Sequence, residues 1–453
     1  MDQAVAYARE QDGRFLSELI EFLRIPSVST APERGADVVR AAVWIAGHLE
    51  QLGFRSRVES TDRHPIVRAD WLGAPGRPTV LCYGHFDVQP PDPLGLWNSP
   101  PFEPTVEKGS LYARGASDDK GQLFTHVKAV EAILRTAGSL PVNVKFLLEG
   151  EEEIGSPSLA AYIPRHRRAL AADAVLVSDG ALFAPGLPTL TTGLRGLLYT
   201  EIEVSGARSD LHSGQYGGAA PNAVGALTQI LAALKDRRGR IRIPGYYGRV
   251  RPPDDAERSA WAKLPFDEAA FCNEIGTTVA PGEEAYPILE RLWARPTLDV
   301  HGIAGGFAGA GMKTVIPCSA TAKVSMRLVP DQNPERIFKQ LERFARRQAP
   351  PGVRVELRHL ASTPPVVVSP DAPPVRAAAR SLEATFGVPP VYTRSGGSIP
   401  AVSAFNRALK APTVLMGFGL PDDNLHAPNE KFALVNFRQG IEATIRFFHE
   451  FGG

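Results

Sequence analysis

The chain has 453 residues, of which 43% are hydrophobic, enough to bury the cores of two domains. Its 50 basic and 49 acidic side chains leave a formal net charge of +1, which gives no general attraction to nucleic acid or anionic lipid. The start, MDQAVAYAREQDGRF, reads as a polar amphipathic helix and not as an export signal, and no apolar stretch approaches the roughly 18 residues of a membrane span. Cys82, Cys272 and Cys318 are odd in number and far apart, as expected of reduced thiols; the chain is expected in the cytoplasm.

Four short, nearly unbroken apolar runs follow in chain order: TVLCYG (79–84), VNVKFLL (142–148), AVLV (174–177) and TVLMGFG (413–419). Such runs suit strands buried on both faces of a mostly parallel sheet. Between the first two, Leu123, Val127, Val130 and Leu134 form the apolar face of a helix over Gln122 to Arg135. The outer parts of the chain, 1–194 and 362–453, therefore read as one discontinuous α/β domain.

The middle, 195–361, changes character. An alternating strand, LLYTEIEVSG, leads to a helix over AVGALTQILAALKD and then to a long stretch rich in Pro, Gly and Asp, from about Pro244 to Gly311. The strands TLDVHGI and ATAKVSMRLVP, the helix PERIFKQLERFARR and the strand VRVELRHL complete the order β-α-β-β-α-β, an α+β domain inserted into the first.

Each apolar run of the outer domain ends on residues that can bind metal or carry protons. TVLCYG runs into His85 and Asp87, VNVKFLL into Glu151, Glu152 and Glu153, and AVLV into Asp179; two loops add Asp118, Asp119 and His426. Taken singly, each can equally be the polar start of a loop. In an open parallel sheet, however, the carboxyl ends of the strands form the ligand-binding edge, so these residues can converge. Two imidazoles and several carboxylates without cysteine suit zinc, or manganese if carboxylates dominate.

Further motifs make the sequence recognisable: GHFDVQP (84–90), WNSPPFEP (97–104), GSLYARGASDDKG (109–121), EGEEEIGS (149–156), SDG (178–180), TGLRG (192–196), DLHSGQYGG (210–218), HGIAGGFAGAGMKTVIP (301–317), RLVP (327–330), GGSIP (396–400) and HAPNEK (426–431). In these, over nearly its whole length, the chain resembles the di-zinc metallopeptidase family of carnosinase-like cytosolic nonspecific dipeptidases, bacterial dipeptidases, acetylornithine deacetylase, succinyl-diaminopimelate desuccinylase and carboxypeptidase G. DLHSG, TGLRG and KTVIP point to the dipeptidase branch.

The resemblance implies a parallel-sheet catalytic domain, an inserted lid and dimerisation domain, and two divalent ions per subunit. By it Asp118 bridges the ions, His85 and Asp179 complete one site, and Glu153 and His426 the other. Glu152 is then the general base toward a water shared by the ions, and Asp87 orients the His85 ring. The run of three glutamates permits a register error; the family pattern puts base and ligand just before Ile154. The resemblance further implies a cis Asp118-Asp119 bond and a homodimer in which His212 reaches the partner's active site. Arg327 becomes the clamp on a substrate carboxylate, and Thr314, Gly397, Ser398 and His359 line the pocket, His359 only with a one-residue shift. One departure is Ser395, where many relatives have Glu.

The implied activity is hydrolysis of dipeptides or similar small peptides with a free C-terminal carboxylate. Its nearest alternative is an N-acyl amino acid deacylase or desuccinylase of the same family. A catalytically silent relative would have lost a ligand or the base, and a two-metal phosphatase would not need Arg327.

Overall fold

A computed structural model describes residues Met1 to Gly453. They form two compact units: Met1–Thr192, Val368–Thr393 and Pro400–Gly453 in the first, Gly193–Val367 and Arg394–Ile399 in the second. The segment 394–399 thus returns to the second unit, whereas the sequence assigns everything after 362 to the first. The reason is local: the Ser395 carbonyl accepts from the Arg195 amide at 3.1 Å, and Arg195 Nε donates to the Gly396 carbonyl at 3.1 Å.

The first unit is built on a six-stranded sheet in the order Arg55–Glu59, Ile66–Trp71, Asn143–Glu149, Thr79–His85, Ala174–Val177, Thr413–Leu415. The last four run parallel, and the first two form an antiparallel hairpin at one edge. Strands Asn143–Glu149 and Ala174–Val177 are buried throughout, which is why their sequences read as largely apolar runs rather than alternations. Helix Lys120–Ala137 is buried from Lys120 to Ile133 and stops at Gly138, whose φ of 72° is a left-handed cap that glycine adopts without strain. It packs against the C-terminal helix Leu434–Gly452. No helix is long and apolar enough to cross a membrane.

The second unit holds a four-stranded antiparallel sheet in the order Thr297–Gly305, Ser319–Leu328, Gly196–Ser205, Arg354–Thr363. Burial alternates strictly along Gly196–Ser205, so this sheet has two unlike faces. Helices Ala223–Ala233 and Pro334–Gln348 cover one of them, enclosing a core that includes Leu198, Ile202, Val324, Met326, Leu227 and Leu341. Side chains at 197, 199, 325 and 327 stand on the other face. The Pro- and Asp-rich stretch is not all loop: it contains the short helices Asp255–Trp261, Glu268–Glu274 and Ile288–Trp293. Asp254 and Asp267 cap the first two, Asp254 in a reciprocal capping box with Glu257. Residues typical of loops are here the residues that start helices.

Candidate metal centre

Because strands Thr79–His85, Asn143–Glu149 and Ala174–Val177 are parallel, the residues after them share one edge of the first unit's sheet. His85 is the last residue of its strand and fully buried. Its backbone N–H donates to Asp119 Oδ2 at 3.2 Å. Gly84 makes this possible, since a Cβ there would stand 2.7 Å from the same oxygen. The ring's Nδ1 faces the Asp87 carbonyl at 3.1 Å, with the Asp87 carboxylate at 3.5 Å, so Nε2 is the atom presented to the site.

Asp118 sits at the end of a loop suspended from a buried acid. Glu430 accepts from the N–H groups of Gly115 at 2.9 Å and of Ser117 and Asp118 at 3.0 Å, and pairs with Arg114 Nη1 at 2.7 Å. The Asp118-Asp119 peptide bond is cis. Burial opposes the Asp118 charge, but the hydrogen bond from His426 and the adjacent His85 ring outweigh it and hold the carboxyl below the ordinary aspartate range. Burial, reinforced by the nearby Asp118 charge, pushes Asp179 up to about 7.

Glu152 and Glu153 lie in a single tight turn, Glu152–Ile154, whose amides both point at Asp87: Glu152 N–H meets Asp87 Oδ1 at 3.2 Å and Glu153 N–H meets Oδ2 at 3.1 Å. Asp87 thus orients this turn as well as standing beside the His85 ring, a task the sequence did not reveal. Gln89 Nε2 holds Glu153 Oε2 at 2.9 Å. The third glutamate, Glu151, is turned away from this cluster, its carboxylate taken up by His64 and Ser158. Burial and then the charges of Asp179, Glu149 and Glu153 raise Glu152 well above the usual glutamate value, against the opposing pull of His85. His426 closes the cluster from a loop position with φ of 59°, its Nε2 2.9 Å from Asp118 Oδ2 and 3.3 Å from Glu153 Oε2. Those two contacts push its imidazole up to about 10.

Two sets of donors result, His85 with Asp118 and Asp179, and Asp118 with Glu153 and His426; within each, one atom per residue lies within 4.8 Å of the others. The residues fit a pair of divalent cations. His85 Nε2 is buried without a hydrogen-bond partner although Asp118 Oδ1 is only 3.1 Å away, so the two atoms stand side by side rather than donor to acceptor. Burial drives the Asp179 carboxyl toward protonation beside the Asp118 charge, a crowding that a cation would relieve. A third set, Glu18, His48 and Glu131, does not fit: the Lys128 ammonium already lies among them, 2.6 Å from His48 Nε2 and 2.7 Å from Glu131 Oε2.

In the second unit, Arg327 Nη1 donates to Ser398 Oγ at 3.0 Å, and Ser398 Oγ donates to the Arg195 carbonyl at 2.5 Å. Gly397 N–H is held by Ser395 Oγ at 3.0 Å. Neither Arg195 nor Arg327 has a carboxylate hydrogen-bonded to it, and burial together with the Arg327 charge brings Arg195 down to about 10. His212 pairs in a two-stranded ribbon with Val315, next to Thr314. Its ring is exposed, and Nδ1 accepts from the Gly214 N–H at 3.0 Å, which leaves the proton on Nε2. His359 does not join Arg327: its ring packs edge-on against Phe338 of helix Pro334–Gln348, on the covered side of the sheet. A bulge beside residue 301 instead brings His301 onto the open side, where it stacks on Tyr199 and meets Ser325 Oγ at 2.7 Å.

Arg195, Glu430 and Glu151 were missed as organising residues, although each lies inside a motif. A charged residue between glycines, as in LRG, or closing a loop, as in PNEK, was the available signal.

Among known proteins, the chain is similar to the Cys-Gly metallodipeptidase dug1 of Schizosaccharomyces pombe, 32% identical over 99% of this chain and 98% of that protein. It is 31% identical to the Beta-Ala-His dipeptidase of Homo sapiens, over 99% and 92%. Among solved structures it resembles the M20 family metallo-carboxypeptidase Sso-CP2 of Sulfolobus solfataricus, with a TM-score of 0.86, 34% identity and coverage of 97% and 99%. The description of peptidase family M20/M25/M40 matches residues 81–450, and the chain belongs to that family.

Proposed function

We propose that this peptidase is a metal-dependent dipeptidase that cleaves the amide bond of dipeptides or similar small peptides carrying a free C-terminal carboxylate. The observation that carries the reading is the pair of three-residue donor sets sharing Asp118. The names of its relatives, dipeptidases for Cys-Gly and Beta-Ala-His, support the substrate size. His85, Asp118 and Asp179 would hold one ion, and Asp118, Glu153 and His426 the other. Three protein donors and an open position suit catalytic Zn2+, with Mn2+ the second choice. Ions held there supply Lewis acidity toward the carbonyl oxygen and make water acidic enough to deprotonate near neutral pH.

The chain's own residues do the rest. Glu152, with its raised proton affinity, takes the proton of the attacking water and hands it to the leaving amine. Asp87 holds the turn that carries it. Arg327 takes the substrate carboxylate; its planar fork and lack of a carboxylate partner in the free chain support that role. Thr314, Gly397 and Ser398 line the same subsite. His212, with its proton on Nε2, donates to the oxyanion of a partner subunit's substrate, which makes the active form a homodimer. The free state of all three cysteines supports a cytoplasmic site of action.

The test is to load the protein with Zn2+ or Mn2+ and follow amine release from a dipeptide panel, with N-acetyl and N-succinyl amino acids as the contrast. Cleavage of dipeptides is expected; turnover of the acyl amino acids alone, or of nothing, rejects the reading.

A further inference from the structure

Glu151 is 1% exposed and bears a carboxylate in full use. Oε1 accepts from the His64 N–H at 2.8 Å and the Ser158 hydroxyl at 2.8 Å, with Thr61 Oγ1 at 3.1 Å; Oε2 accepts from the Ser158 N–H at 2.9 Å. Its own carbonyl accepts from Ile154 at 3.2 Å and Ser156 at 2.8 Å, closing the turn that follows. Side chain and backbone of one residue therefore fasten the Glu152–Ile154 turn to the 61–64 loop and to the start of helix Leu159–Arg165.

The contacts also close into a ring. His64 Nε2 donates to the Ser29 carbonyl at 2.9 Å, and Ser29 Oγ donates to Asp87 Oδ2 at 2.7 Å. Asp87 in turn takes the amides of Glu152 and Glu153, the residues next to Glu151. The turn is gripped from both sides, by Asp87 at its amides and by Glu151 at its root, and His64 and Ser29 tie the two grips together. A tight turn of this kind has little packing of its own, so its orientation is set by these bonds.

We infer that Glu151 is a positioning residue for the metal centre: through the ring Glu151, His64, Ser29 and Asp87 it fixes the turn that presents Glu152 to the water and Glu153 to the metal. Glu151 touches neither substrate nor ion; it acts by preorganising the two neighbours. Glu151→Ala removes every side-chain bond of this grip and leaves only the carbonyl bonds to Ile154 and Ser156. Glu151→Gln keeps one acceptor oxygen but puts an amide N–H against a donor, so it falls between Ala and the wild type. The Arg327 subsite is untouched by either.

The experiment measures two quantities in wild type, Glu151→Gln and Glu151→Ala: ion retention, by competition with a chromophoric chelator without substrate, and the kcat and KM for a dipeptide. Orientation of a ligand by an outer residue typically contributes 10- to 100-fold, so Glu151→Ala should lose ion affinity and kcat by roughly that factor, with Gln intermediate and KM nearly unchanged. Lys145→Met is the control for general destabilisation, since Lys145 is also buried and donates to the carbonyls of Ala169 and Ala171, away from the turn. It should lower the melting temperature and leave ion affinity intact. Equal retention and kcat in Glu151→Ala and wild type overturn the role. If Glu151→Ala does not fold, Ser158→Ala and His64→Phe decide: each removes part of the ring and should weaken retention in the same direction, and unchanged retention in both overturns it. The inference rests on the proposed metal centre, yet the two fail separately, because a wild type that binds ions and cleaves no dipeptide rejects the function while the retention series still tests Glu151.

Discussion

The Glu430 carboxylate accepts the backbone N–H of Asp118 at 3.0 Å, so the aspartate common to both donor sets hangs from a buried acid far away in sequence. The same carboxylate takes the amides of Gly115 and Ser117, and its charge is balanced by Arg114. The Asp118 loop is thereby held by a fixed anchor rather than by packing of its small side chains.

Replacing that anchor should loosen both ions together. Glu430→Gln leaves the shape but offers one acceptor oxygen to three amides and leaves the Arg114 charge buried beside a neutral amide. A broken buried pair of this kind costs about 3–5 kcal/mol. Calorimetric titration with Zn2+ should show both binding steps weakened, whereas a change confined to one step would mean that the loop keeps its place without Glu430.

Glu152→Ala should separate binding from chemistry. The residue is in neither donor set, so the ion content should stay at the wild-type level while kcat falls by about 10²–10⁴, the usual contribution of a positioned acid or base. Comparable turnover in the variant would remove Glu152 from proton transfer.

The metal-free protein should be destabilised by rising pH. Glu149 and Asp179 are raised to about 8 and 7, in each case chiefly by burial. An acid raised in the folded state binds its proton more tightly than in the unfolded chain. Its contribution is full below the unfolded value and is lost as pH climbs through the folded one. Thermal melts of the chelated protein should therefore give a lower midpoint at pH 8 than at pH 5.5, and added Zn2+ should raise the midpoint most at the higher pH. A metal-free midpoint that rises over this range contradicts the account.

Much of the fold was legible because burial on both faces leaves an unmistakable pattern: strands such as Ala174–Val177 contain nothing polar, and the polar residue after each marks the sheet edge. The ligand candidates followed from that edge and from the family motifs. What could not be read was which acid holds which loop. Glu151, Glu152 and Glu153 are chemically identical in sequence, and only the path of the backbone turns the carboxylate of the first toward Ser158 while the amides of the second and third donate to Asp87. His359 lies in unbroken register with Val355 and Leu357, opposite Thr200, and the strand's bulge comes only after it, so its ring faces the helix side against Phe338, a placement that depends on strand pairing and not on residue type. The helices within the Pro- and Asp-rich stretch were obscured because aspartate is as common at helix caps as in loops.

Arg327→Ala should discriminate among substrates by their C-terminus. Charge-assisted hydrogen bonds contribute about 1.5–3 kcal/mol, a loss of roughly 10- to 150-fold in kcat/KM for dipeptides with a free carboxylate. The corresponding C-terminal amides, which gain little from the guanidinium, should change far less. Equal losses on both substrate types would show that Arg327 does not read the carboxylate.

The most direct measurement is the number of ions bound per chain in wild type, Asp179→Ala, His426→Ala and Asp118→Ala, determined by mass spectrometry of protein equilibrated with limiting excess Zn2+. The shared aspartate predicts two ions in the wild type, one in each of the single-set variants and none retained by Asp118→Ala. A wild-type chain that binds a single ion, or an Asp118→Ala variant that keeps two, would contradict the two-ion centre.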